Sequence, residues 1–241
     1  MLVPVAFAGI AQTTYAGLWD NPKNLKVLPE DISPAELGAT MRGFAINTGS
    51  RCSTCHVGKK ENDLNTYDFS LDDKEKKRKA RIMLRMVNDI NQNLAEKLGK
   101  PASELVKVDC ATCHRGQARP VMLQDALASA YYAEGLDKAI ENYRSLREQY
   151  YGGYSYDFSE RSLLVLAEQM AGAEETDAAI GFINLNLEFY PESVQTYVQW
   201  AKILNARGDK TGAVDSLRKA LKIDPGNQWL TQMLASLESA P

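Results

Sequence analysis

Cysteine and histidine are nearly missing from this chain, and the few present are confined to two places. Among 241 residues there are four cysteines and two histidines. All six fall within "CSTCH", Cys52–His56, and "CATCH", Cys110–His114. Long apolar runs are also lacking: no stretch of about 20 apolar residues occurs, which excludes a helix spanning a bilayer. Nor is there an excess of basic charge, with 28 Lys and Arg against 31 Asp and Glu. That balance excludes the concentrated cationic footprint of a nucleic-acid binder. The first 20 residues hold no Lys or Arg, the first cation being Lys23, so they lack the positive n-region of a secretory signal. Residues 1–20 are therefore read as a retained apolar arm, packed on this chain or on a neighbour. The 44% hydrophobic content leaves enough apolar material for packed cores.

What is present, twice, is Cys-x-x-Cys-His. This is the attachment pattern of a c-type haem. Two thiols add across the two vinyl groups of the porphyrin, and the two-residue linker puts both sulfurs on one edge. The following histidine is then carried beneath the ring, where its imidazole can ligate iron. Four thiolates could instead hold zinc, but 54 residues separate Cys55 from Cys110, longer than zinc-ribbon spacing. A redox dithiol needs one such pair, and a structural disulfide needs no adjacent histidine. Two copies with no stray cysteine or histidine point to two covalent haem c groups. They are held by Cys52 and Cys55, and by Cys110 and Cys113, with His56 and His114 as proximal ligands.

With no histidine left over, methionine is the candidate sixth ligand, and a His/Met pair raises the reduction potential. The methionines are Met1, Met41, Met83, Met86, Met122, Met170 and Met233. Met41 lies on "PAELGATMRGF", a helical stretch opened by Ser33-Pro34, a good N-cap and N1 pair. Met83 and Met86 lie on "KKRKARIMLRMVNDINQNLAEKL", a helix before the second motif. Each half thus reads as a methionine-bearing helix, a loop, and a Cys-x-x-Cys-His opening a short helix. The residue pattern selects Met41 and one of Met83 or Met86. The run "KEKKRKAR", Lys74–Arg81, reads as a solvated helix start, with steering of an acidic partner or pairing with haem propionates as alternatives. A basic first turn opposes the helix dipole, so a counter-charge nearby is expected.

The segments "NLKVLPEDISPAELGATMRGFAINTGSRCSTCHV", "ARIMLRMVNDIN" and "VDCATCHRGQARP" resemble the first two haem units of the cytochrome subunit of purple-bacterial photosynthetic reaction centres. The likeness covers about residues 21–120. It rests on Asn-x-x-Val-Leu, the methionine helix, "ARxML-x-M" and "TCHRGQ-x-x-P". The resemblance implies electron-transfer chemistry, with Met41 as the axial ligand of the first haem and Met83 as that of the second. Met86, one turn on, would pack instead. The chain departs from the family in having no histidine between the second methionine helix and its motif, no lipidated N-terminal cysteine, and no haem units beyond two.

From about residue 123 the sequence repeats. Ala167, Ala179 and Pro191 recur as Ala201, Ala213 and Pro225, each 34 residues on. "GDKTGAVDSLRKALKIDPGN" resembles the second half of a tetratricopeptide repeat, and "EGLDKAIENYRSLREQYY" is an earlier copy around Ala139. "GGYSYD", Gly152–Asp157, fits as an insertion between copies, and "WLTQMLASLE" reads as a capping helix. Tyrosines beside these glycines suit either a contact surface or packed turns.

The expected fold is mainly α: an arm over 1–20, a dihaem cytochrome c domain over 21–120, and a helical tetratricopeptide solenoid over 121–241. The expected role is one-electron transfer outside the cytoplasm, in the periplasm or beyond the cell, since haem c is attached there. A redox protein or copies of the chain itself would dock on the repeats. Residues 1–120 carry a net charge of +4 and residues 121–241 a net of −7, which would suit head-to-tail assembly, even a filament of aligned haems. The alternatives are an electron donor to a photosynthetic reaction centre and a dihaem enzyme such as a peroxidase. The enzyme needs one iron with a displaceable sixth position, which two methionines do not provide.

Overall fold

A computed structural model describes residues 17–239. The expected apolar arm falls mostly, and Met1 wholly, outside the described residues. The fold is mainly α, with eleven α-helices among the described residues and a single two-stranded ribbon. The chain divides after Pro120 into two compact units.

In the first unit, α1 (Pro34–Thr48) starts where the sequence sets a stop and a start together. Ser33 accepts from the Glu36 amide while the Glu36 side chain bonds back to the Ser33 amide, and Pro34 occupies N1. This reciprocal cap satisfies orphan donors of the first turn. Helix α1 ends at Gly49, which is left-handed with φ of 60°, a conformation glycine adopts without penalty. The first motif forms the one-turn helix α2 (Cys52–Cys55). The ribbon then pairs β1 (Val57–Gly58) with β2 (Tyr67–Asp68). Helix α3 (Glu75–Leu98) is the longest in the chain, and the second motif forms α4 (Cys110–His114).

The packing crosses between the halves. Helix α1 packs on α4, and α3 packs on α2, so each methionine-bearing helix supports the other half's motif. At the first joint the Gly116 amide donates to the Asn47 carbonyl at 2.9 Å. A side chain at Gly49 would strike the Gly116 carbonyl oxygen. At the second half, Asn91 of α3 donates to the Val108 carbonyl (2.8 Å) and accepts from its amide (2.9 Å). That two-point clamp fixes the strand of chain leading into Cys110.

The second unit is built of consecutive packed helices. These are α5 (Leu123–Glu134), α6 (Leu136–Tyr150), α7 (Glu160–Gly172), α8 (Thr176–Phe189), α9 (Val194–Ala206), α10 (Lys210–Ile223) and α11 (Gln228–Ser239). Neighbours pair as α5 with α6, α7 with α8, α9 with α10, and α10 with α11. Alternate helices also touch, α5 on α7, α7 on α9 and α6 on α8. Ala139, Ala167, Ala179, Ala201, Ala213 and Ala220 are buried at these crossings, where a small side chain lets helix axes approach. Met170 is buried in this core and Met233 is packed against it.

Residues 151–159, between α6 and α7, are in part packed and in part exposed. Tyr156 and Phe158 pack with Tyr143 and Tyr150, whereas Tyr151 and Tyr154 stand exposed. Arg147 lies over the Tyr151 ring at 4.0 Å and the Phe189 ring at 4.4 Å, tying this segment to α8.

Candidate haem-binding site

A cavity of about 690 Å³ opens in the first unit. Cys52, Cys55 and His56 line it, with Met41 and Leu37 from α1, Met83 from α3, and Cys110 and His114 from the second motif. Seven of the eight residues singled out in the sequence thus share one cavity; Cys113 is exposed beside it. Met86, one turn beyond Met83, is outside the lining, and Met122 is exposed at the start of the second unit.

All four cysteines are free thiols. Among the described residues, no three His, Cys, Asp or Glu side chains converge as a metal site, so the two pairs are not arranged as one four-thiolate cage. Burial pushes the Cys55 thiol up, against the opposing charges of Lys76, Lys74 and Lys77. Burial also pushes Cys110 up, here reinforced by Asp109.

The two histidines are held differently. His56 is half-buried, and its enclosed Nδ1 has no hydrogen-bond partner. Burial, together with Lys77, Arg81 and Lys74, pushes its pKa down to about 4, so the ring is neutral at physiological pH. The Phe69 ring meets it edge-on at 5.0 Å, and Phe69 in turn stacks on Tyr67 at 5.7 Å. His114 has a partner: its Nδ1–H donates to the Gln117 carbonyl at 2.8 Å. That bond leaves Nε2 as the free, basic nitrogen, the arrangement of a metal-ligating histidine.

A second feature, unseen in the sequence, is a cluster centred on Asp72. Its carboxylate takes Lys26 at 2.6 Å, Arg81 at 2.7 Å and Lys77 at 3.1 Å, and Asn24 at 3.0 Å. These bonds, Arg81 and Lys26 foremost, hold the Asp72 carboxyl far below the usual carboxylate range. Lys77 is 8% exposed and also donates to the carbonyls of Phe69 (2.8 Å) and Leu71 (2.6 Å). Lys74 donates to the Ser53 carbonyl inside the first motif. Half of the basic run is therefore turned inward, with Asp72 as the counter-charge its first turn required; Lys76, Arg78 and Lys79 remain exposed.

The residues fit a haem c. Each motif offers two free thiols across one helical turn and a histidine at its end. A neutral, half-buried imidazole with an unpaired ring nitrogen suits a metal ligand, and two methionines line the same cavity. Cations outnumber acids around it, suiting a porphyrin that carries two carboxylates.

A family model described as the photosynthetic reaction centre cytochrome C subunit matches residues 11–149. The match takes in the whole cavity and continues through α5 and most of α6. No curated relative matches the chain. No described helix is long and apolar enough to cross a membrane.

Proposed function

The chain belongs to the photosynthetic reaction centre cytochrome c subunit family, and from that premise we propose that it is an extracytoplasmic one-electron carrier holding two haem c groups. The first is held through Cys52 and Cys55 with His56 and Met41 as axial ligands, the second through Cys110 and Cys113 with His114 and Met83. Haem iron supplies the chemistry, cycling between ferric and ferrous states. The chain's own residues hold, orient and shield it. The observation that carries the two-haem reading is one cavity in which Met41, Met83 and both motif histidines meet; which methionine serves which motif follows the family likeness, since α1 packs on α4 and α3 on α2. The exclusion of Met86 from that lining favours Met83 over its neighbour.

The second unit serves as a docking platform in this reading. Its 34-residue recurrence and its buried alanines at helix crossings support a tetratricopeptide-type stack. Such a stack offers its surface to a redox partner or to copies of this chain. The opposite net charges of the two halves favour head-to-tail contact between copies, which would bring haems of successive chains into line. Light scattering that finds only monomer at high concentration would rule out that self-assembly.

Two methionine ligands leave no open iron, which separates a carrier from a dihaem peroxidase. The reduced protein should therefore be slow to take up carbon monoxide, and Met83→Leu should make one of its two haems reactive. Rapid uptake by the unaltered protein would favour the enzyme.

A further inference from the structure

The two haem sites are electrostatically unequal, and the inequality has one direction. Around the first motif cations outnumber acids: Glu61 accepts from the Ser53 hydroxyl at 3.1 Å and is paired with Arg51, and the other charges bonded there are positive. Lys74 bonds directly to the Ser53 carbonyl within it. Lys77 bonds to the carbonyl of Phe69, whose ring lies on His56. Arg81 shares Asp72 with Lys77 and Lys26, so one carboxylate faces three cations. Lys76 stands on the first turn of α3, the helix that packs on the first motif's helix α2. The second motif is instead opened by a carboxylate: Asp109 is its N-cap and accepts from the Thr112 amide at 3.1 Å. Arg115 and Arg119 follow His114 and place cations at the second site too, Arg119 in the same lining as Lys76, Lys77 and Arg81; what distinguishes the sites is that Lys74 bonds within the first motif and Lys77 bonds to Phe69, whose ring lies against His56.

The histidine bonds differ in the same sense. The Gln117 carbonyl draws on the Nδ1–H of His114, making Nε2 a stronger donor to iron and favouring the ferric state. His56 has no such bond. Positive charge beside iron favours the ferrous state, because reduction removes one unit of positive charge from the site.

We propose that Lys74, Lys76, Lys77 and Arg81 make the first haem the higher-potential site, so that an electron entering the pair comes to rest at the Cys52–His56 motif and leaves from there. This rests on the dihaem reading above. The second site is the donor within the pair, its potential lowered by the Gln117 carbonyl and Asp109.

The test is a spectroelectrochemical titration of the haem-loaded full chain and its variants, each first assayed for haem content. Lys76 is exposed, so its substitution is expected to leave the fold intact. Lys76→Glu should lower the higher of the two potentials and leave the other in place, and Lys76→Arg should restore it. Met41→His, which replaces a first-site ligand, should move that same higher couple downward. A Lys76→Glu variant that shifts only the lower couple, or neither, overturns the assignment, as does Met41→His acting on the lower couple. A content of one haem per chain contradicts the dihaem reading itself, and with it the comparison of two sites.

Discussion

Asp72 shows how far a single side chain can organise a site without carrying its chemistry. It joins Lys26 of the loop before α1 to Lys77 and Arg81 of α3. Its carboxyl is depressed in the folded chain relative to an ordinary aspartate near 3.9. A depressed carboxyl adds stability that is complete above the unfolded value and lost as pH falls through that value toward the folded one. Acid unfolding should thus steepen below about pH 4, and Asp72→Asn should flatten that limb in a circular-dichroism titration. An unchanged acid limb would mean the cluster is screened by solvent. At this scale the sequence was partly legible. The cysteines and histidines could be identified because nothing else in the chain competes with them. The choice between Met83 and Met86 could not be made from residue pattern alone, because both fall on exposed positions of one helix; the family likeness points to Met83, and Met83 is the one that lines the cavity. Asp72 was invisible because its partners lie in a loop and a helix that the sequence cannot bring together.

Helices α1 and α3 were readable as elements. Ser33-Pro34 with Glu36 announces a start, and Gly49 and Gly99 mark stops in left-handed geometry. Their crossed packing was not readable, because local signals carry no information on which motif a helix supports. The joint of α1 with α4 depends on Gly49, where a left-handed backbone coincides with close approach of the Gly116 carbonyl. Gly49→Ala should cost at least ~1–2 kcal/mol from the backbone conformation alone, with the steric conflict adding to it. Thermal unfolding of the variant should show a lowered midpoint for the haem-bearing unit. An unchanged midpoint would show that the joint gives way without loss.

At the scale of the molecule, the recurrence of Ala167, Ala179 and Pro191 made a helical second half visible, since a repeat repeats its core positions. The alanines at those positions are buried. What the second half holds was not legible, because a docking surface is defined by its partner. The family match reaches into α6, so the likeness does not stop where the first compact unit does. The central claim concerns that first unit: two motifs, two haems, one electron path. Intact-mass measurement of the mature protein tests it most directly, combined with peptide mapping of the attached groups. Two haem masses per chain, one on the peptide of Cys52 and Cys55 and one on that of Cys110 and Cys113, is the expected result. A chain carrying a single haem, or one in which either cysteine pair is recovered as free thiols, would contradict the account.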